Sequence, residues 1–178
     1  MIEVTLMAAI IRARIALTAR CQELLPFELT RAQLRVLAEI YADLESNRVM
    51  QRLVQGDVGS GKTIVAWLSS LRVIENGYQV AWMAPTEMLA EQHFVSIKPY
   101  ADKLGIRSAL VTASLPSGDR QPTLARIARG DIVFIVGTHA LIQESVKILV
   151  KETLPKIEAP PSLKKKFEKR INKATLIT

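Results

Sequence analysis

Residues 56–63 of this 178-residue chain read Gly56-Asp57-Val58-Gly59-Ser60-Gly61-Lys62-Thr63, the spacing G-x-x-x-x-G-K-[ST]. Just before them runs Met50-Gln51-Arg52-Leu53-Val54-Gln55, a short stretch suited to a buried strand. Just after them, Ile64 to Ile74 carries apolar residues at helical spacing. Strand, glycine loop and helix in succession form the context in which this pattern wraps a phosphate. Gly56, Gly59 and Gly61 carry no Cβ and can take positive φ, so the backbone N–H groups can close around a polyphosphate. The following helix directs its N-terminal partial positive charge to the same place. Lys62 then reaches the β- and γ-phosphates as a point charge, and the Thr63 hydroxyl holds Mg²⁺. These are the two residues expected to carry the chemistry.

The chain is long enough for one domain with its own core. Hydrophobic residues make up 49% and charged residues 23%, a globular rather than a disordered balance. Aromatics are only 5%, which argues against a stacking platform for single-stranded nucleic acid. A single cysteine, Cys21, allows no internal disulfide and no cysteine metal cluster, and reads as a small core residue in a reducing setting. The apolar N-terminus does not read as a signal peptide or a spanning helix: Glu3 stands where positive charge is wanted, and Arg12 and Arg14 interrupt the run. No membrane partner is expected. The net charge of +7 makes an acidic partner plausible.

Three parts are expected: a leading helix over 1–25, ended before Pro26; an alternating helix and strand region over 26–150; and a basic tail over 151–178. In the middle part Thr30 caps a helix to about Glu45. After the loop and its helix, Gln79–Ala84 reads as a buried strand and Glu87 to about Leu104 as a helix. Ile106–Thr112 is strand-like, Pro122–Arg129 helical, and Asp131–Val136 a continuous apolar strand. Apolar strands separated by helices predict an α/β fold, a parallel sheet with helices on both faces.

Three further segments fall where loops leave the carboxyl ends of strands, the place where open α/β sheets bind ligands. They are Leu25 to Gln33, Ala84 to His93, and Gly137-Thr138-His139-Ala140-Leu141. Taken singly each is weak, since Thr86 or Thr138 can simply cap the next helix. His93 and His139, the only histidines, lie far apart and read poorly as metal ligands. In this order around this glycine loop, the segments resemble the first motor lobe of the superfamily-two helicases, a RecA-like P-loop NTPase lobe. The RecG-like ATP-dependent DNA helicases, which remodel stalled forks and branched DNA, are the most similar; the transcription-repair coupling translocases are also similar. The likeness covers about residues 25–146.

The resemblance implies ATP and Mg²⁺ as cofactors, DNA as partner, a role in DNA recombination and repair, and a bacterial cytoplasmic setting. It implies that Gln33, with Phe27 and Thr30 nearby, reads the adenine, while Gly56 to Thr63 hold the phosphates and Mg²⁺. It also implies that Pro85, Thr86, Glu87, Gly137, Thr138 and His139 lie on the DNA-tracking face and touch sugar-phosphate rather than bases.

The pattern of that family continues to a strand ending in an Asp-Glu pair, which orients Mg²⁺ and activates the attacking water. This chain contains no Asp-Glu dipeptide; Lys151-Glu152 follows Ile148–Val150 instead, and no aspartate occurs after Asp131. Glu152 is a poor substitute base. The expectation is a truncated or divergent helicase fragment that binds ATP weakly and turns it over poorly alone. In the tail, Leu163, Phe167 and Ile171 share one helical face, with Lys164, Lys165, Lys166, Lys169 and Arg170 filling much of the remainder. That arrangement fits a solvated helix face or, more sharply, phosphate-backbone contact with salt-sensitive affinity. The competing reading is a non-catalytic nucleic-acid-binding or interaction module that keeps the lobe fold. A small P-loop kinase or GTPase is disfavoured, since no guanine-reading Asn-Lys-x-Asp occurs.

Overall fold

A computed structural model describes residues 2–6, 15–46 and 50–138. In chain order the elements are β1 (Ile2–Leu6), α1 (Ala16–Leu24), α2 (Arg31–Glu45), β2 (Met50–Val54), α3 (Lys62–Glu75) and β3 (Val80–Ala84). They continue with α4 (Glu87–Lys103), β4 (Ser108–Val111), α5 (Ser117–Ala128) and β5 (Phe134–Thr138). His139 and the basic tail lie outside the described residues.

The strands fall into two groups. β3, β5 and β4 form a parallel sheet in that order. Along β5, Phe134 and Val136 turn to one face and Ile135 to the other, as the two-residue period of a strand requires. The first face packs on α3 and α4 through Trp67, Leu68, Ala90, Ile97 and Ala101. The second packs on α5 through Ile127, with Val111, Ile132, Ala81 and Leu124. Helices therefore cover both faces of a parallel sheet, as the alternating pattern predicts. At the centre of the larger core Phe134 stands edge-on to Trp67 (centroids 4.9 Å) and to Trp82 (5.1 Å).

β2 departs from expectation. It pairs antiparallel with β1, Ile2 opposite Val54 and Leu6 opposite Met50, in a separate two-stranded sheet. Only Met50 of β2 is buried, and Leu53 is exposed. The run Met50–Val54 alternates apolar and polar residues in part, which suits a sheet with one wet face rather than a strand buried on both. The leading helix is corrected by the same pairing. Ile2-Glu3-Val4-Thr5-Leu6 is a strand, because its β-branched residues and two-residue alternation favour an extended chain. The described helix α1 starts at Ala16, with Ile15 as its N-cap. Cys21 of α1 is fully buried, as a core residue should be, and burial pushes its thiol pKa up.

The other helix starts show how local chemistry sets boundaries. Thr30 opens α2 with a capping box: its side chain accepts the Gln33 N–H, and the Gln33 side chain accepts the Thr30 N–H. α5 begins at Ser117, more than a turn before the expected Pro122, with Asp119 in its first turn where the helix dipole favours negative charge. α2 is held to α3 by the buried Arg72, whose Nη2 meets Glu45 Oε1 at 2.6 Å and whose guanidinium lies 4.8 Å above the Tyr41 ring. It is held to β2 by Arg52, which pairs with both Asp43 and Glu39. Glu39 and Asp43 are one helical turn apart, so both carboxylates face the same strand.

Candidate functional site

The glycine loop connects β2 to α3 and is exposed from Gly56 to Ser60. Gly59 (φ +79°) and Gly61 (φ +81°) occupy the left-handed region, where a side chain is strained. Gly56 does not; its smallness is needed because a Cβ there meets Ser60 Oγ at 2.8 Å. Gly61 is the N-cap of α3, so the first-turn amides of Lys62 and Thr63 have no carbonyl partner within the helix. Lys62 Nζ bends back over the loop, donating to Gly56 O (2.8 Å) and Asp57 O (2.6 Å), with Ser60 Oγ at 3.5 Å. Positive-φ glycines, free first-turn amides and a tethered ammonium make a cradle for an anion with several oxygens. Thr63, half-buried beside Lys62, offers one hard oxygen, which suits Mg²⁺, an ion that takes one or two protein donors and completes its shell with phosphate and water.

Of the residues expected to read the adenine, Gln33 lies against this loop. Gln33 Nε2 donates to Ser60 O at 2.9 Å while its Oε1 accepts the Thr30 N–H at 2.8 Å. A Cβ on Gly61 meets Gln33 Nε2 at 2.2 Å, so the amide lies directly against the loop. Thr30 is committed to capping α2. Among the described residues the Gln33 amide spends one N–H and one carbonyl lone pair, which leaves one of each to meet a donor and an acceptor on a base edge. Phe27 is half exposed nearby in sequence, presenting an aromatic face. This clasp between α2 and the loop is absent from a reading that gives Gln33 to the base alone. The capping-box spacing Thr30-x-x-Gln33 is the signal that foretells its first half.

The second constellation lies at the carboxyl ends of the parallel strands. Ala84 is in register with Thr138, and Val111 with Gly137, so the carboxyl ends of β3, β5 and β4, from which their loops leave, lie side by side. Pro85 and Thr86 are exposed, Glu87 and Thr138 half-buried, and Gly137 buried. Thr86 Oγ1 accepts the Leu89 N–H at 3.3 Å, so Thr86 does cap α4. Glu87 Oε1 accepts the Ala113 N–H at 2.8 Å and ties the first of these loops to the third. Gly137 is required by close approach: a Cβ there meets Val111 O at 2.3 Å. His139 lies outside the described residues. His93 is half-buried on α4, edge-on to Trp82 with centroids 6.1 Å apart, and burial lowers its pKa, which marks it as a packing residue. Among the described residues no group of three His, Cys, Asp or Glu side chains is placed to hold a metal, and no helix is long and apolar enough to cross a membrane.

Known proteins share this arrangement. The chain is 50% identical over 125 residues to the ATP-dependent DNA helicase RecG of Aquifex aeolicus (strain VF5), a match covering 70% of this chain and 16% of that one. It is 52% identical over 123 residues to the ATP-dependent DNA helicase RecG of Bacillus subtilis (strain 168), covering 69% of this chain and 18% of that protein. The chain thus spans less than a fifth of the length of these relatives. A structure of RecG bound to a three-way DNA junction superposes with a TM-score of 0.69 at 38% identity, over 77% of this chain and 19% of the other. The family profile of the DEAD/DEAH box helicases matches residues 30–159, which contain the glycine loop, the Gln33 clasp and all three strand-end loops. On that match, carried across most of its length, the chain belongs to the DEAD/DEAH box helicase family.

Proposed function

We propose that the chain is the ATP-binding lobe of a RecG-like DNA helicase acting at branched DNA or stalled forks in the bacterial cytoplasm. Residues 26–150 form the lobe and residues 151–178 a basic tail. The observation that carries this reading is the loop itself: Gly59 and Gly61 in the left-handed region, α3 opening on it, and Lys62 and Gln33 laid across it. Among the described residues Lys62 is tethered to loop carbonyls and a hydroxyl, ligands that a triphosphate replaces with stronger, charge-assisted bonds. Gly56, Asp57, Val58, Gly59, Ser60 and Gly61 shape the phosphate cradle, and Gln33, Thr30 and Phe27 flank the base. Thr63 would hold Mg²⁺, which would supply positive charge to offset that of the triphosphate. Pro85, Thr86, Glu87, Gly137, Thr138 and His139 border the DNA, which they meet through its backbone.

Titrating Mg–ATP into the purified chain by calorimetry tests this. Binding is expected for the native sequence, with a loss of about tenfold or more in Lys62→Ala, the cost of a charged hydrogen-bonding partner. Equal affinity in the two proteins overturns the assignment. A second reading, a nucleic-acid-binding module without turnover, is favoured by one feature: no Asp-Glu pair occurs in the chain to activate water. Phosphate release at background level supports it. Sustained release that Lys62→Ala abolishes overturns it.

A further inference from the structure

Arg52 stands on β2, the strand that feeds the glycine loop, and reaches across to α2, the helix that carries Gln33. Its backbone is fixed by the pairing of β2 with β1, where it lies opposite Val4. Its guanidinium spends two different nitrogens on α2: Nη1 donates to Glu39 Oε2 at 2.7 Å, and Nε donates to Asp43 Oδ2. A planar fork that addresses two carboxylates one turn apart fixes the helix both along and about its axis, which a point charge does not. The buried Leu37, Ile40 and Leu44 also hold α2, but apolar burial is non-directional and tolerates a helix that slides or turns. The three charged side chains are 33% to 50% exposed, so their pairing adds little to stability. What they supply is position.

Gln33 is where position matters. Its amide is clamped between the Thr30 N–H and Ser60 O. At 1.5 Å of rise per residue it lies about 9 Å along the helix from Glu39 and about 15 Å from Asp43. A turn or shift of α2 at the Arg52 anchor is delivered to this amide, whose hydrogen bonds weaken steeply once misaligned. We propose that Arg52 is a positioning residue for recognition of the adenine: by fixing α2 against the strand that feeds the loop, it sets where the Gln33 amide stands, and so how much affinity the base adds to that of the phosphates. This rests on the reading that the loop holds a triphosphate and that Gln33 meets the base. A residue that merely steadied the fold lowers every affinity alike, and one that acted by charge favours any polyphosphate. Arg52 acting through Gln33 changes only the share of the affinity that the base contributes.

Calorimetry on the full chain with two probes, Mg–ATP and Mg–tripolyphosphate, decides it. Arg52→Met is expected to weaken Mg–ATP about threefold to tenfold and to leave Mg–tripolyphosphate at its native affinity. Retained tripolyphosphate binding also shows that the variant is folded. In a Gln33→Ala background, adding Arg52→Met is expected to cost no further Mg–ATP affinity, because both changes remove one and the same contribution. Unchanged Mg–ATP affinity in Arg52→Met overturns the inference. So do equal losses for the two probes, which assign Arg52 to the loop or to general charge, and so does an undiminished further loss in the Gln33→Ala background. These three outcomes leave the loop's own assignment intact. Failure of the native chain to bind either probe overturns the triphosphate reading, and native Mg–ATP affinity in Gln33→Ala overturns the base reading; each takes the role of Arg52 with it.

Discussion

The glycine-loop side and the parallel-sheet side of this molecule are held together by different kinds of interaction. Around the glycine loop, order comes from polar ties at or near the surface: Gln33 to Ser60 and Thr30, Lys62 to the loop carbonyls, Arg52 to α2. Across β3, β5 and β4, order comes from buried apolar side chains on both faces of a short sheet. Polar ties can be exchanged for a ligand at little cost, because each surface hydrogen bond contributes only about 1 kcal/mol net. Close-packed apolar layers cannot, so that side makes a rigid platform. The proposed role as a helicase lobe needs both properties, in separate places.

Phe134 is one of the places where the two regions join. It belongs to β5 yet touches Trp67 of α3, the helix that opens at the glycine loop. Removing it with Phe134→Ala leaves a cavity against two indoles and is expected to cost about 3–5 kcal/mol. The largest effect predicted here should appear as a lowered urea midpoint. If the two regions unfold in separate transitions in that variant, Phe134 is what makes them one cooperative unit; a loss below about 1 kcal/mol breaks the picture.

On the polar side the corresponding test is a pair. Gly61→Ala forces a side chain into the left-handed region and drives its Cβ against Gln33 Nε2. It is expected to cost about 1–3 kcal/mol of stability and most of the nucleotide affinity. In a Gln33→Ala background the collision is gone and only the backbone strain remains, so the same substitution costs less. A double-mutant cycle in urea unfolding should return a coupling of about 0.5 kcal/mol or more. Additive costs refute a clasp between α2 and the loop.

The same contrast explains what could be read from the chain. The cap at Thr30, the loop and the start of α4 at Glu87 are set by a few local residues with fixed spacing, and they stand where their chemistry puts them. The parallel sheet was legible because β3 and β5 are apolar on both faces. β1 was not: Ile2–Leu6 has the composition of a strand, but strand pairing with β2 is a contact across more than forty residues, and local helix-like apolarity beyond it masked the break. The tie made by Glu87 was hidden for a related reason. A carboxylate at a helix start has an adequate local explanation in the dipole, and its acceptance of Ala113 depends on the register of β4 against β5.

The smallest expected effect separates the regions by pH. His93 is the only histidine among the described residues, and it sits on the parallel-sheet side, edge-on to Trp82. Burial lowers its pKa from 6.5, so between that lowered value and about 6.5 the unfolded chain binds more protons than the folded one. The sign follows: stability rises with pH through this window, is full above about 6.5, and is lost as pH falls toward the folded-state pKa. Below it the loss levels off. Urea midpoints at successive pH values should therefore show a drop in the native chain that is reduced in His93→Gln, the difference isolating the imidazole from the carboxylates. Hydrogen exchange adds the regional test, because acidification through the window should loosen α4 and β3 before α2 and α3. Equal loosening of all four elements breaks the division between the two sides.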